Sequence, residues 1–117
     1  MLSFSGSLTI FVALAPCDGR KGLNGLEVLV RELLAEDPRA GALFVFTNRR
    51  RNRLRVLYWD GTGLWLMCKR LEKGTFAWPK SGQAEGVKLR LAPEAFAMLT
   101  DGIDLRGATL RPWYERA

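Results

Sequence analysis

Histidine is absent from this chain of 117 residues. The commonest general base and the commonest metal ligand are therefore missing together. Cysteine is scarce, with Cys17 and Cys68 far apart. Neither belongs to a C-x-x-C pair, which argues against a zinc site. Both read as reduced thiols of a cytosolic protein. Long hydrophobic runs are missing too: Leu8 to Ala15 (LTIFVALA) is too short to span a bilayer. Ala13-Leu14-Ala15 looks like a signal-peptidase site. Residues 1–12 hold no Lys or Arg, however, and Pro16 follows at once, so a buried strand is the better reading. The G-x-x-x-x-G-K-[ST] phosphate loop does not occur. Asp18 and Asp60 have turn and cap explanations, and no histidine stands by to support metal-assisted hydrolysis. No catalytic residue, metal site or cofactor is expected, and no membrane partner.

What is present is ordinary for a globular protein: 48% apolar and 26% charged residues. The length suits a single domain over residues 1–117. Its core is expected at about residues 7–104, followed by a tail, 105–117, that Trp113 alone would order. The charge is not ordinary. Net charge is +6. Residues 47–90 carry eleven basic and three acidic side chains, a local charge of +8, and the rest of the chain sums to −2. A charge gathered in one segment is what a surface for a polyanion would produce.

The pattern predicts an α+β fold: a mostly antiparallel sheet of four to six strands with two helices, the first packed on one sheet face. Leu8–Leu14 is the first strand. Leu23, Leu26, Leu29, Val30, Leu33 and Leu34 recur at helical spacing, giving an amphipathic helix over about 22–36, ended by Asp37-Pro38. Strands follow at 43–46, 54–59 and 64–71, the last two flanking the hairpin signal Asp60-Gly61-Thr62-Gly63. Glu72-Lys73-Gly74-Thr75 predicts a second hairpin into Phe76-Ala77-Trp78. Val87–Leu91 is a short strand. Pro93 opens a second helix, which Gly102 caps, with Ala92 offering no side-chain acceptor at the start.

The first hairpin pairs Trp59 with Leu64, Leu57 with Leu66, Arg55 with Cys68 and Arg53 with Arg70. One face then carries Leu54, Val56, Tyr58, Trp65, Met67 and Leu71, joined by Phe76 and Trp78. This core face is expected under the helix that contains Leu26 and Leu33. The other face carries arginines at one end and an apolar strip, Leu57, Trp59, Leu64 and Leu66, at the other. Seven basic groups gather at the arginine end: Arg49, Arg50, Arg51, Arg53, Arg55, Arg70 and Lys73. Like charges facing one another destabilise a sheet, so an external anion such as a nucleic-acid phosphate would relieve them. Neutralisation by Glu27, Glu32, Glu36 and Asp37 is the internal alternative. Arg20-Lys21 before the first helix is a weaker anion motif, and a plain turn capped by Asp18 explains it as well.

Asp18-Gly19-Arg20-Lys21-Gly22-Leu23-Asn24-Gly25-Leu26, Leu43-Phe44-Val45-Phe46 with its arginine loop, and Tyr58-Trp59-Asp60-Gly61-Thr62-Gly63-Leu64 occur in this order. Lys69 to Gly74, Phe76-Ala77-Trp78-Pro79 and Gly102-Ile103-Asp104 follow. Together they resemble the TnpB accessory protein (second open reading frame) of the IS-sixty-six family of bacterial insertion sequences, over roughly residues 10–105. Gly19 departs from the bulky apolar residue usual there, and Ala92 from the usual polar residue before the proline. The resemblance implies a cytoplasmic bacterial protein that acts in DNA transposition beside a separate, larger transposase. It is not the RNA-guided nuclease that shares the TnpB name. DNA, with the element's ends as natural target, and that transposase are the implied partners, and a homo-oligomer is left open. A non-catalytic protein that binds nucleic acid through its arginine-rich sheet end, and so assists the transposase, is the leading expectation. A protein–protein adaptor with little DNA binding of its own, docking through the apolar strip, is the other.

Overall fold

The computed structural model describes residues 8–79 and 86–102. The expected tail therefore lies outside the described residues. Among the described residues, seven elements follow in order: β1 (Ile10–Ala13), α1 (Leu23–Glu32), β2 (Leu43–Thr47), β3 (Arg53–Trp59), β4 (Leu64–Arg70), β5 (Lys88–Arg90) and α2 (Pro93–Thr100). The strands form one sheet in the order β4-β3-β2-β1-β5. Among these strands β1 and β2 run parallel, joined through α1, and the pairings β1–β5, β2–β3 and β3–β4 are antiparallel. The α+β expectation holds, as does the β3–β4 register: Trp59 opposite Leu64, Leu57 opposite Leu66, Arg55 opposite Cys68 and Arg53 opposite Arg70.

Strand alternation sends side chains to two apolar layers. Ile10, Val12, Leu43, Val45, Leu54 and Val56 join Ala95 and Leu99 of α2 on one face. Ala13, Phe44, Phe46 and Leu57 join Leu26 and Val30 of α1, with Leu34 just beyond it, on the other. Strand β2, at the centre, is buried at all five positions because both faces are covered.

Several expectations need correction. Helix α1 does not cover the Val56–Met67 face. It covers the opposite face, where Leu57 is fully buried and Leu64 and Leu66 pack against its cluster. The bulky Phe44 and Phe46 point to that face and meet the Leu26–Val30–Leu34 stripe. Leu33 instead stays exposed. The apolar strip is thus occupied by α1, and Trp59 is half-buried with the Arg39 guanidinium 4.9 Å from its ring centroid. Trp65, expected in the core, is 46% exposed. It stands on the edge strand, and its indole N–H donates to an Asp60 carboxylate oxygen at 2.7 Å.

The second hairpin does not form either. Phe76, Ala77 and Trp78 are all buried but belong to no strand. The Phe76 N–H donates to the Arg51 carbonyl, and the Trp78 indole N–H to the Ala13 carbonyl at 2.9 Å. The segment runs toward β1 on the α2 side of the sheet instead of lying alongside β4. Helix α1 ends sooner than expected. Ala35 takes a left-handed conformation (φ 55), and the Glu36 N–H closes on the Val30 carbonyl. Helix α2 behaves as expected: Pro93 starts it, Ala92 gives no side-chain cap, and Gly102 (φ 79) follows its end. Lys69 adds a bond from its ammonium to the Thr100 carbonyl at 2.6 Å, where the helix's negative end favours a cation.

Candidate nucleic-acid interface

The arginine loop is the turn between β2 and β3. Asn48 holds it shut. Its side-chain oxygen accepts the N–H groups of Asn52 and Arg53, both at 3.1 Å, and its amide donates to the Asn52 side chain at 2.7 Å. Asparagine favours such turns because its side chain mimics a backbone carbonyl. Thr47 adds a hydroxyl bond to the Arg53 carbonyl at 2.9 Å. Arg49 and Arg50 remain exposed at the tip of this fixed loop. The two asparagines flanking the arginines were the signal in the sequence, and their role was missed.

Arg55 joins the loop's sheet to the turn before α1. Its guanidinium donates to the Lys21 carbonyl, to the Asp18 carbonyl at 2.9 Å and to the Cys17 sulfur at 3.3 Å. The Cys17 N–H in turn donates to the Thr47 carbonyl. Both cysteines are free thiols. Asp18 caps the turn by accepting the Arg20 backbone N–H at 2.9 Å and the Arg20 guanidinium. Those bonds hold its carboxyl below the ordinary range, the backbone bond contributing most, and the side-chain bond to Asp18 raises the Arg20 guanidinium. The fold thus brings the Arg20-Lys21 motif and the arginine cluster to the same end of the sheet.

Two clefts adjoin there. One, of about 710 Å³, lies between the two loops and is bordered by Asp18, Arg20, Arg49, Arg50 and Arg53. The other, of about 560 Å³, is bordered by Arg53, Arg55, Cys68, Lys69 and Arg70. Arg53 lies on both. Lys73 is exposed in the turn after β4, and Lys21 is exposed before α1, neither lining these clefts. Arg51 departs from the cluster and borders a separate groove with Leu33 and Val87.

The acids named as internal partners are engaged elsewhere or stand apart. Glu27 pairs with Arg31 and Arg39, Glu36 with Lys88 at 2.5 Å, and the Asp37 carboxylate accepts the Arg39 N–H. Among the described residues, the carboxylates reaching the basic end are Asp18 on Arg20 and Glu72, which is 3.9 Å from Arg70. No group of three metal-ligating side chains occurs among them. No helix among them is long and apolar enough to cross a membrane.

A small α+β domain with a basic, doubly cleft sheet end is the class that this geometry defines. The family model described as IS66 Orf2 like protein matches residues 8–109, so the chain belongs to that family of transposition accessory proteins. Two proteins of Sinorhizobium fredii (strain NBRC 101917 / NGR234), y4jC and y4hO, are similar to it, and both are described only as uncharacterized. The first is 42% identical over 114 residues, covering 96% of this chain and 93% of the relative. The second is 37% identical over 106 residues, covering 91% and 90%. No solved structure matches the chain.

Proposed function

We propose that this protein grips the phosphate backbone of DNA with the arginine end of its sheet and assists a separate transposase without catalysing a step itself. The observation that carries this reading is the Arg53–Arg70 pair, two like charges facing across adjacent strands, with Arg53 also bordering the cleft that Arg20, Arg49 and Arg50 line. Facing like charges weaken a sheet modestly, and anions from outside would relieve the pair beyond what Glu72, 3.9 Å from Arg70, supplies. Repeated phosphates supply them, and each neutralised phosphate releases counterions. Arg53, Arg49, Arg50, Arg20 and Arg70 are the contacts. Arg55 and Lys21 hold the turn. Lys73 lies further out as a peripheral charge.

Titrating the protein with element-end duplex, unrelated duplex and RNA at several salt concentrations tests this. Binding should weaken steeply with salt. Arg70→Gln should reduce the slope of log affinity against log salt by about one unit, equally on related and unrelated duplexes, because phosphate contacts position without specifying. The free variant should be as stable as wild type or slightly more so. A less stable Arg70→Gln protein with unchanged affinity would overturn the reading. Incubation with Mg²⁺ or Mn²⁺ should give no cleavage or joining of DNA. Metal-dependent turnover that follows the pure protein through a sizing column would contradict that.

A further inference from the structure

The apolar strip once available for an adaptor role is covered by α1, yet another apolar surface is open. It is a groove of about 480 Å³ lined by Leu14, Ala15, Leu33, Pro79 and Val87, with Arg51 its one charged lining residue among the described residues. Leu33 and Val87 are each 42% exposed, two of the four large apolar side chains left most open among the described residues. The walls are held from several sides. The Leu14 N–H donates to the Val87 carbonyl at 3.0 Å, and Arg51 is fixed through its N–H to Asn48 and its carbonyl to Phe76. At Arg51 the backbone is left-handed (φ 58), which sets this residue apart from Arg49 and Arg50 in the same loop.

A preformed apolar groove of this size accepts side chains, since small-ligand sites span about 300–1,000 Å³. Arg51 is half-buried and has no carboxylate partner among the described residues. A guanidinium in that setting selects a planar anion on whatever fills the groove. Nucleic acid is a poor occupant, because the other lining residues among those described are apolar or glycine.

We propose that this groove docks a short segment of a partner protein, an apolar side chain seated between Leu33 and Val87 and a nearby carboxylate paired with Arg51. The proposal does not depend on DNA binding. Pro16 lines both this groove and the larger basic cleft, so a docked partner would sit beside any bound duplex.

The test uses the full chain with methyl-labelled leucine and valine and two acetylated peptides. One carries leucine, phenylalanine, glycine and glutamate in that order, and the other has glutamine in place of glutamate. The glutamate peptide should shift the methyl signals of Leu14, Leu33 and Val87 and bind at least tenfold more tightly than the glutamine peptide. Leu33→Glu, at an exposed position, should weaken peptide binding tenfold or more while duplex affinity stays at the wild-type level. Val87→Glu should do the same, which guards against a fold defect in either variant. Absence of groove shifts at millimolar peptide, or equal affinity for the two peptides, would overturn the proposal. So would magnetisation transfer, in the free protein, from the groove methyls to residues 80–85 or 103–117, which would make the chain its own occupant. Groove shifts that grow with protein concentration alone would mark a second copy and overturn it as well. If duplex binding fails while the glutamate peptide binds as expected, the DNA reading falls and the docking groove stands.

Discussion

Arg55 differs from its neighbours at the arginine end because its guanidinium is engaged inside the fold, on Lys21, Asp18 and Cys17. Arg55→Met should therefore loosen the turn at residues 18–21, raise hydrogen exchange there and lower the melting temperature. Arg55→Lys should recover only part of this, since an ammonium lacks the fork that reaches several acceptors at once. Unaltered exchange with a salt slope reduced by about one unit would instead make Arg55 a phosphate contact. Asp60 offers a second residue-scale test. Its carboxylate accepts the N–H groups of Thr62 and Gly63, the Thr62 hydroxyl and the Trp65 indole. These bonds hold it far below the ordinary carboxylate range, the Thr62 backbone bond contributing most. A depressed folded value stabilises the protein fully above the unfolded value, about pH 4, and the gain is lost as pH falls toward the folded one. The melting-temperature gap between wild type and Asp60→Asn should be constant from about pH 5 to 8 and should narrow progressively as pH falls below about 4. The position of Arg53 opposite Arg70 could be counted from the turn residues. The engagement of Arg55 could not, because its acceptors are two backbone carbonyls and a cysteine sulfur 34 to 38 residues away.

Among the elements, the β3–β4 hairpin was legible because Asp60-Gly61-Thr62-Gly63 marks its turn and alternation fixes the rest. Which helix covers which face was not. Both faces of β3 are apolar in part, so periodicity cannot rank them. The choice follows from the parallel β1–β2 pairing, which no local signal announces. The same gap misplaced Trp65, whose face is apolar but whose strand lies at the edge. Trp78 and Trp65 should consequently respond differently to truncation. Trp78→Ala removes a 2% exposed core side chain and should cost about 3–5 kcal/mol, whereas Trp65→Ala should cost well under half as much by denaturant unfolding. Ala35 sits where glycine would be at ease. Ala35→Gly should raise stability by up to about 1 kcal/mol, because a left-handed alanine is strained and glycine is not. A destabilised Ala35→Gly protein would show that the α1 terminus relaxes some other way.

At the scale of the whole molecule, the sheet's last pairing closes a long circuit. Strand β5 completes the sheet by joining β1, with Leu89 opposite Val12. A chain leaving the ribosome therefore finishes β1, α1, β2, β3 and β4 while the outer edge of β1 still lacks its neighbour. At about 5–20 residues per second, roughly 4–15 seconds separate synthesis of Ala13 from that of Lys88. Through that interval the nascent protein exposes the apolar edge Ile10–Ala13, an invitation to pair with another chain. Ribosome-bound chains arrested before residue 86 should recruit holdase chaperones, and chains arrested well after residue 102 should release them. Synonymous codons that slow translation between Ala13 and Lys88 should then lower the yield of folded protein while leaving its sequence and final stability unchanged.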